Sequence, residues 1–76
     1  MSAARDPHTD PRPGDRLAKS FTIGEKRIRK VLVRNPDEVF YEQFYEQWTT
    51  PYSRWCVLAT WQRWARGTEV LSRGED

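Results

Sequence analysis

Lys26-Arg27-Ile28-Arg29-Lys30-Val31-Leu32-Val33-Arg34, then Asn35-Pro36-Asp37, then Glu38-Val39-Phe40-Tyr41-Glu42-Gln43-Phe44-Tyr45, is the stretch whose reading decides the fold. Its first part is rich in β-branched side chains (Ile28, Val31 and Val33), which are stiff at χ1 and suit a pleated surface. Val31 and Val33 alternate with Leu32 and Arg34, and Ile28 falls out of phase by one residue, which predicts a bulge near Arg29-Lys30. Asn35-Pro36-Asp37 is a strong turn signal. The last part reads two ways. As a helix, Asn35 caps, Pro36 takes the first position and Glu38 completes a capping box. Tyr41, Phe44, Tyr45 and Trp48 then form a stripe at i, i+3, i+4 and i+7. As a strand, Val39-Phe40-Tyr41 and Phe44-Tyr45 are strand formers, and the turn folds them back on Val31–Arg34 as a hairpin. Local signals alone lean to the helix.

Working outward, Pro13-Gly14-Asp15-Arg16-Leu17 reads as a turn entering a strand. Phe21-Thr22-Ile23 is β-favouring and Gly24-Glu25 suits a turn. On the other side, Thr49-Thr50-Pro51-Tyr52-Ser53 is a loop and residues 54–57 a short strand. Leu58, Trp61 and Ala65 share a helical face, which predicts a helix over 58–66. Gly67 sits at its C′ position, and Arg63 and Arg66 complement its negative end. Thr68 to Leu71 reads as a closing strand. Nine of the ten aromatics lie between Phe40 and Trp64, so that stretch must supply the core, with Trp61 buried in it. Residues 1–12 have almost no apolar groups to offset their ordering entropy and read as a disordered tail. Residues 72–76 read as a frayed end, leaving one domain over 13–71.

Seventy-six residues allow one small domain. An apolar fraction of 37%, a charged fraction of 32% and a mean hydropathy of −0.92 lean toward disorder. The ten aromatics oppose this, since each buries roughly 150–250 Å². Cys56 is the single cysteine, which excludes an internal disulfide framework. With His8 the single histidine, zinc-ligand spacing is excluded too. No 18-residue apolar run and no apolar leader core occur, and residue 2 is Ser rather than a myristoylated Gly. These features predict a cytoplasmic protein with no membrane association, no metal and no cofactor.

The residues also argue against an enzyme. His8 lies in the tail and reads as solvated. Cys56 has no histidine in the folded part to serve as its base. Glu42 and Glu46 would be neighbours on a helix but lack further ligands. Gly14, Gly24 and Gly67 make no phosphate-binding pattern. Charge is the stronger signal. Residues 16–34 carry a net +6 and residues 35–48 a net −4. The candidate nucleic-acid-binding residues are Lys26, Arg27, Arg29, Lys30 and Arg34. On a strand, Lys26, Ile28 and Lys30 face one way and Arg27 and Arg29 the other, and Arg54, Arg63 and Arg66 extend the basic surface. Basic groups beside aromatic rings suit phosphates and stacked bases. Against this, the acidic run paired across a sheet would neutralise the basic one. A strand charged only to prevent edge aggregation would look the same. The rival site is an aromatic protein-binding surface at Tyr45, Trp48 and Tyr52.

The Pro13-Gly14-Asp15 opening, the Arg- and Val-rich Lys26–Val33 segment, Val39-Phe40-Tyr41, and Trp61-Gln62-Arg63-Trp64-Ala65 together resemble small phage- or prophage-type bacterial proteins. They also resemble the SH3-like barrels of KOW-type modules. The resemblance covers residues 13–71. It implies a mainly β, SH3-like, partly open barrel with one short C-terminal helix, and no particular activity. It tips residues 38–46 to strand; the alternative is an α+β fold with a second helix at 36–48. The expected function is a non-enzymatic binding module whose partner is nucleic acid or another protein.

Overall fold

The computed structural model describes residues 5–20, 26–45 and 50–74. Among them are strands β1 (Arg16–Ser20), β2 (Lys26–Arg34), β3 (Glu38–Tyr45) and β4 (Tyr52–Val57), helix α1 (Leu58–Ala65) and strand β5 (Glu69–Ser72). The strands form one antiparallel sheet in the order β4-β3-β2-β1-β5. The fold is therefore mainly β, an open sheet of the partly open small-barrel kind with one short helix, as expected. The predicted Phe21-Thr22-Ile23 strand and Gly24-Glu25 turn, and Trp48 of the aromatic site, lie outside the described residues.

The ambiguous segment is a strand. The turn closes through Asn35 N–H to the Glu38 carbonyl at 2.9 Å and Glu38 N–H to the Asn35 carbonyl at 3.4 Å. The residues that would cap a helix are thus used to close a hairpin. Burial along β3 alternates, with Val39, Tyr41 and Gln43 buried between less buried neighbours. The proposed helical stripe is split, because Tyr41 and Tyr45 point to one side of the sheet and Phe44 to the other.

The bulge is displaced from its expected place. The β1–β2 pairing is regular through Arg29 and Lys30, and the shift against β3 falls between Val31 and Val33, at Leu32. Ile28 and Val31 are out of phase because they are buried on opposite faces, not because the chain bulges between them. The bulge at Leu32 then returns Arg34 to the Val31 face, opposite Val39.

Between β4 on one edge and β5 on the other, the chain must cross the sheet, and α1 makes that crossing over one face. Trp61 and Ala65, four apart, meet Leu17, Val31, Val39 and Tyr41 in the core. Gly67, at φ +74, ends the helix in the left-handed region that glycine enters without strain.

Both chain ends correct the sequence reading. Residues 5–12 are not a free tail but pack under α1, with Pro7 and Pro11 fully buried. Trp61 Nε1–H donates to the Pro7 carbonyl at 3.1 Å, and Gln62 Nε2–H donates to the Thr9 carbonyl at 2.9 Å. The missing attraction was polar rather than apolar. Asp15, with no exposed surface, accepts from Arg5 at 2.5 and 3.0 Å, from Arg12 N–H at 2.8 Å and from Gly74 N–H at 2.7 Å. That last bond also ties down the expected frayed end as far as Gly74. Gly14, at φ +95, lies against Gly74, and a Cβ on Gly74 would overlap the Pro13 carbonyl. The Pro-Gly-Asp opening is thus the knot that joins both ends to β1.

Candidate functional site

Antiparallel pairing puts directly opposed residues on the same face. The register therefore sorts every strand side chain onto the helix-side face or the outer face. On the helix-side face one row runs Lys19–Arg27–Tyr45. The next runs Leu17–Arg29–Gln43–Tyr52, and the third Val31–Tyr41–Arg54. On the outer face lie Arg16–Lys30–Glu42–Ser53, Ala18–Ile28–Phe44 and Val33–Phe40–Trp55, with Glu38 opposite Val57.

The five predicted basic residues are consequently not one site. Lys26 and Lys30 are on the outer face. Lys30 stands opposite Glu42, and Lys26 Nζ is 4.0 Å from Glu69. Arg34 joins the N-terminal segment, with Nη2 3.5 Å from Asp10 Oδ1 and Nη1–H donating to the Asn35 carbonyl. Arg27 and Arg29 remain together on the helix-side face. Lys19 and Arg54 join them there, from strands that flank the predicted segment on either side.

Arg29 organises this face. Its guanidinium carbon lies 4.4 Å from the Tyr41 ring centre and 4.2 Å from that of Trp64, so the cation is held between two aromatic faces. Its Nε–H donates to Gln43 Oε1 at 2.8 Å. Gln43, itself buried, donates from Nε2 to the Tyr52 hydroxyl at 2.6 Å. Burial lowers the pKa of Arg29, an always-protonated group that stays charged there. Burial raises the Tyr41 hydroxyl pKa, with the nearby Arg29 charge acting against it. Around this centre, Arg27 lies 5.6 Å from the Tyr45 ring centre and donates to its hydroxyl at 3.2 Å. Arg54 lies 5.4 Å from the Tyr52 ring, and Lys19 6.0 Å from Trp64.

The three rows hold four cations and three tyrosines. Asp15 continues the third row but is buried and paired with Arg5. Glu38, Glu42 and Glu69 all fall on the outer face. The cross-strand pairing that the charge blocks allowed is met at Lys30, opposite Glu42, whereas Arg29 stands opposite the uncharged Gln43. Of the aromatic site, Tyr45 and Tyr52 lie on this same face, Tyr52 with 46% of its surface exposed. The outer face carries a separate apolar stripe of exposed Val33, Trp55 and Val57, in which the Phe40 and Trp55 rings are 4.9 Å apart.

Lys19, Gln43 and Trp64 were not singled out by sequence reasoning. Lys19 was legible as the residue two beyond buried Leu17. The aromatic clamp on Arg29 was not, because Tyr41 and Trp64 meet only through the helix crossing. Cys56 is partly buried against the core, and burial raises its thiol pKa, as befits a small packing residue. Among the described residues, no three His, Cys, Asp or Glu converge on a metal position, and no helix is long and apolar enough to cross a membrane. No family model, curated protein or solved structure matches the chain.

Proposed function

We propose that this protein is a non-enzymatic nucleic-acid-binding module whose contact surface is the helix-side face bearing Lys19, Arg27 and Arg54 around the clamped Arg29. The observation that carries this reading is the sorting of charge by register. The acids of β3 and β5 point away, and cations interleaved with tyrosines are left on one face. Cations beside aromatic rings suit a ligand that offers both phosphates and flat bases. A binding titration of a labelled mixed-sequence oligonucleotide between 50 and 200 mM salt tests it. Contacts from Lys19, Arg27 and Arg54 predict that log K falls with log salt at a slope of magnitude about 2 to 3. Absence of binding at 50 mM salt rejects the reading. The protein-interaction alternative, with Tyr45 and Tyr52 as apolar contacts, then takes its place.

A further inference from the structure

We infer that β4 is a self-association edge, along which a second copy of this chain pairs antiparallel about a two-fold axis at Trp55; the pairing does not rest on the nucleic-acid reading above. The two edges of the sheet are built differently. β5 is four residues long, carries Glu69 and slips register against β1 between Arg16 and Leu17. Short length, charge and a bulge all keep an edge from recruiting another chain. β4 is six residues long and pairs with β3 without a slip. Its one charge is Arg54, whose side chain lies on the helix-side face beside the Tyr52 ring. Every β4 residue but Cys56 is exposed, and among the described residues no strand lies beyond it.

The backbone phase of β4 fixes the partner. Glu38 and Asn35 exchange both of their bonds, so the Glu38 N–H and C=O point toward β2. Those of Asp37 and Val39 then point toward β4, in agreement with Leu58 N–H donating to the Asp37 carbonyl at 2.8 Å. Val39 stands opposite Cys56. The groups of Cys56, Arg54 and Tyr52 are therefore spent on β3, and those of Ser53, Trp55 and Val57 point out of the sheet. An axis at Trp55 sets Trp55 against its own copy and Ser53 against Val57, so all three outward residues of each copy exchange bonds. An axis on any other residue from Ser53 to Val57 brings an outward residue opposite Pro51, which has no N–H, or Ala59, which is helical. An axis on Arg54 would also oppose two like charges. The Trp55 axis instead puts Arg54 opposite Cys56 and joins two Val33–Phe40–Trp55 rows into one apolar band on the outer face. The exposed stripe that stops at the β4 edge of one copy is continued by the other. Such an isologous contact closes as a dimer.

Sedimentation velocity in reducing buffer, where Cys56 cannot cross-link, tests the pairing. The wild type should be mainly dimer at about 500 µM, with a dissociation constant below about 100 µM, the weak end that suits a short interface. Ser53→Pro removes an outward N–H and no bond to β3, and Trp55→Lys sets two like charges at the axis. Each should weaken association about tenfold or more, whereas Leu71→Lys on the β5 edge should leave it within about threefold. All variants are checked for an unchanged fold by melting. Should Ser53→Pro not melt cooperatively, the double variant Ser53→Cys with Val57→Cys replaces it. Under oxidising conditions the double variant should give covalent dimers and Ser53→Cys alone should not. A chain still mainly monomeric at the highest concentration overturns the inference. So does a dimer indifferent to both β4 variants, which uses another surface. A dimer lost in Trp55→Lys but kept in Ser53→Pro is a face-to-face contact and overturns the edge pairing, as does equal cross-linking of the single and double cysteine variants.

Discussion

Asp15 keeps its charge without any exposed surface because three sets of donors converge on it. Burial pushes its pKa up, but the hydrogen bonds from Arg5, Arg12 N–H and Gly74 N–H outweigh burial and hold it below the ordinary carboxylate value. A lowered folded-state pKa contributes stability above the ordinary value and loses it as pH falls through the folded one. Asp15→Ala should cost about 3–5 kcal/mol, the range for breaking a buried charge pair. In a urea titration at pH 7, a loss below about 1 kcal/mol would contradict this placement. His8 works with the opposite sign. Its Nε2 is 2.8 Å from the Thr68 carbonyl and its Nδ1 2.7 Å from an Asp6 carboxylate oxygen. Both partners are acceptors, so only the imidazolium, with two N–H groups, satisfies both. The bond to Thr68 contributes most to raising its pKa above 6.5. That stability is complete below pH 6.5 and lost as pH rises through the folded-state value. The melting-temperature difference between wild type and His8→Gln should therefore be largest near pH 5.5 and shrink toward pH 8. A difference that is flat with pH would contradict the assignment.

The elements follow their local sequence except where long-range pairing outweighs it. Helix α1 needed only the Leu58, Trp61 and Ala65 spacing and Gly67, and its range was legible to within a residue. Residues 38–45 were not, because their capping residues serve a hairpin equally well and their aromatics populate both faces. What settled them was β2, which offers a full ladder of partners that an isolated helix would forgo. The bulge was misplaced for a related reason. A phase slip in the apolar pattern signals either a bulge or burial on both faces, and only the neighbouring strands distinguish the two. Trp61 is where helix and sheet meet. It has no exposed surface, it packs 5.9 Å from the Tyr41 ring centre, and its N–H is bonded to Pro7. Trp61→Ala should cost about 3–5 kcal/mol, comparable to the whole stability of a domain this small. Circular dichroism should show no cooperative melt, and a transition near the wild-type temperature would refute the packing.

At the scale of the molecule, the N-terminal segment belongs to the fold. Its anchors are Arg5, Pro7, His8 and Thr9, a mixture of ion pair, ring burial and backbone acceptors that a count of apolar residues misses. Deleting residues 1–12 should lower the melting temperature by at least about 10 °C, since each kcal/mol is worth about 4–8 °C at this size. An unchanged melt would return the segment to a free tail. The candidate site was half legible. The basic block and the aromatics could be read from composition, but their sorting onto faces depends on register and on the Leu32 bulge. That sorting is the central claim, and a comparison of two double variants tests it most directly. Arg27→Gln with Arg54→Gln and Lys26→Gln with Lys30→Gln remove the same net charge from opposite faces. Salt titrations of oligonucleotide binding should show the first pair reducing the slope magnitude by about 2, near one per lost contact, with a loss of affinity above tenfold at 50 mM salt. The second pair should leave the slope within about 0.5 of wild type. Equal effects from the two pairs would mean that net charge, not this face, governs binding, and would contradict the account.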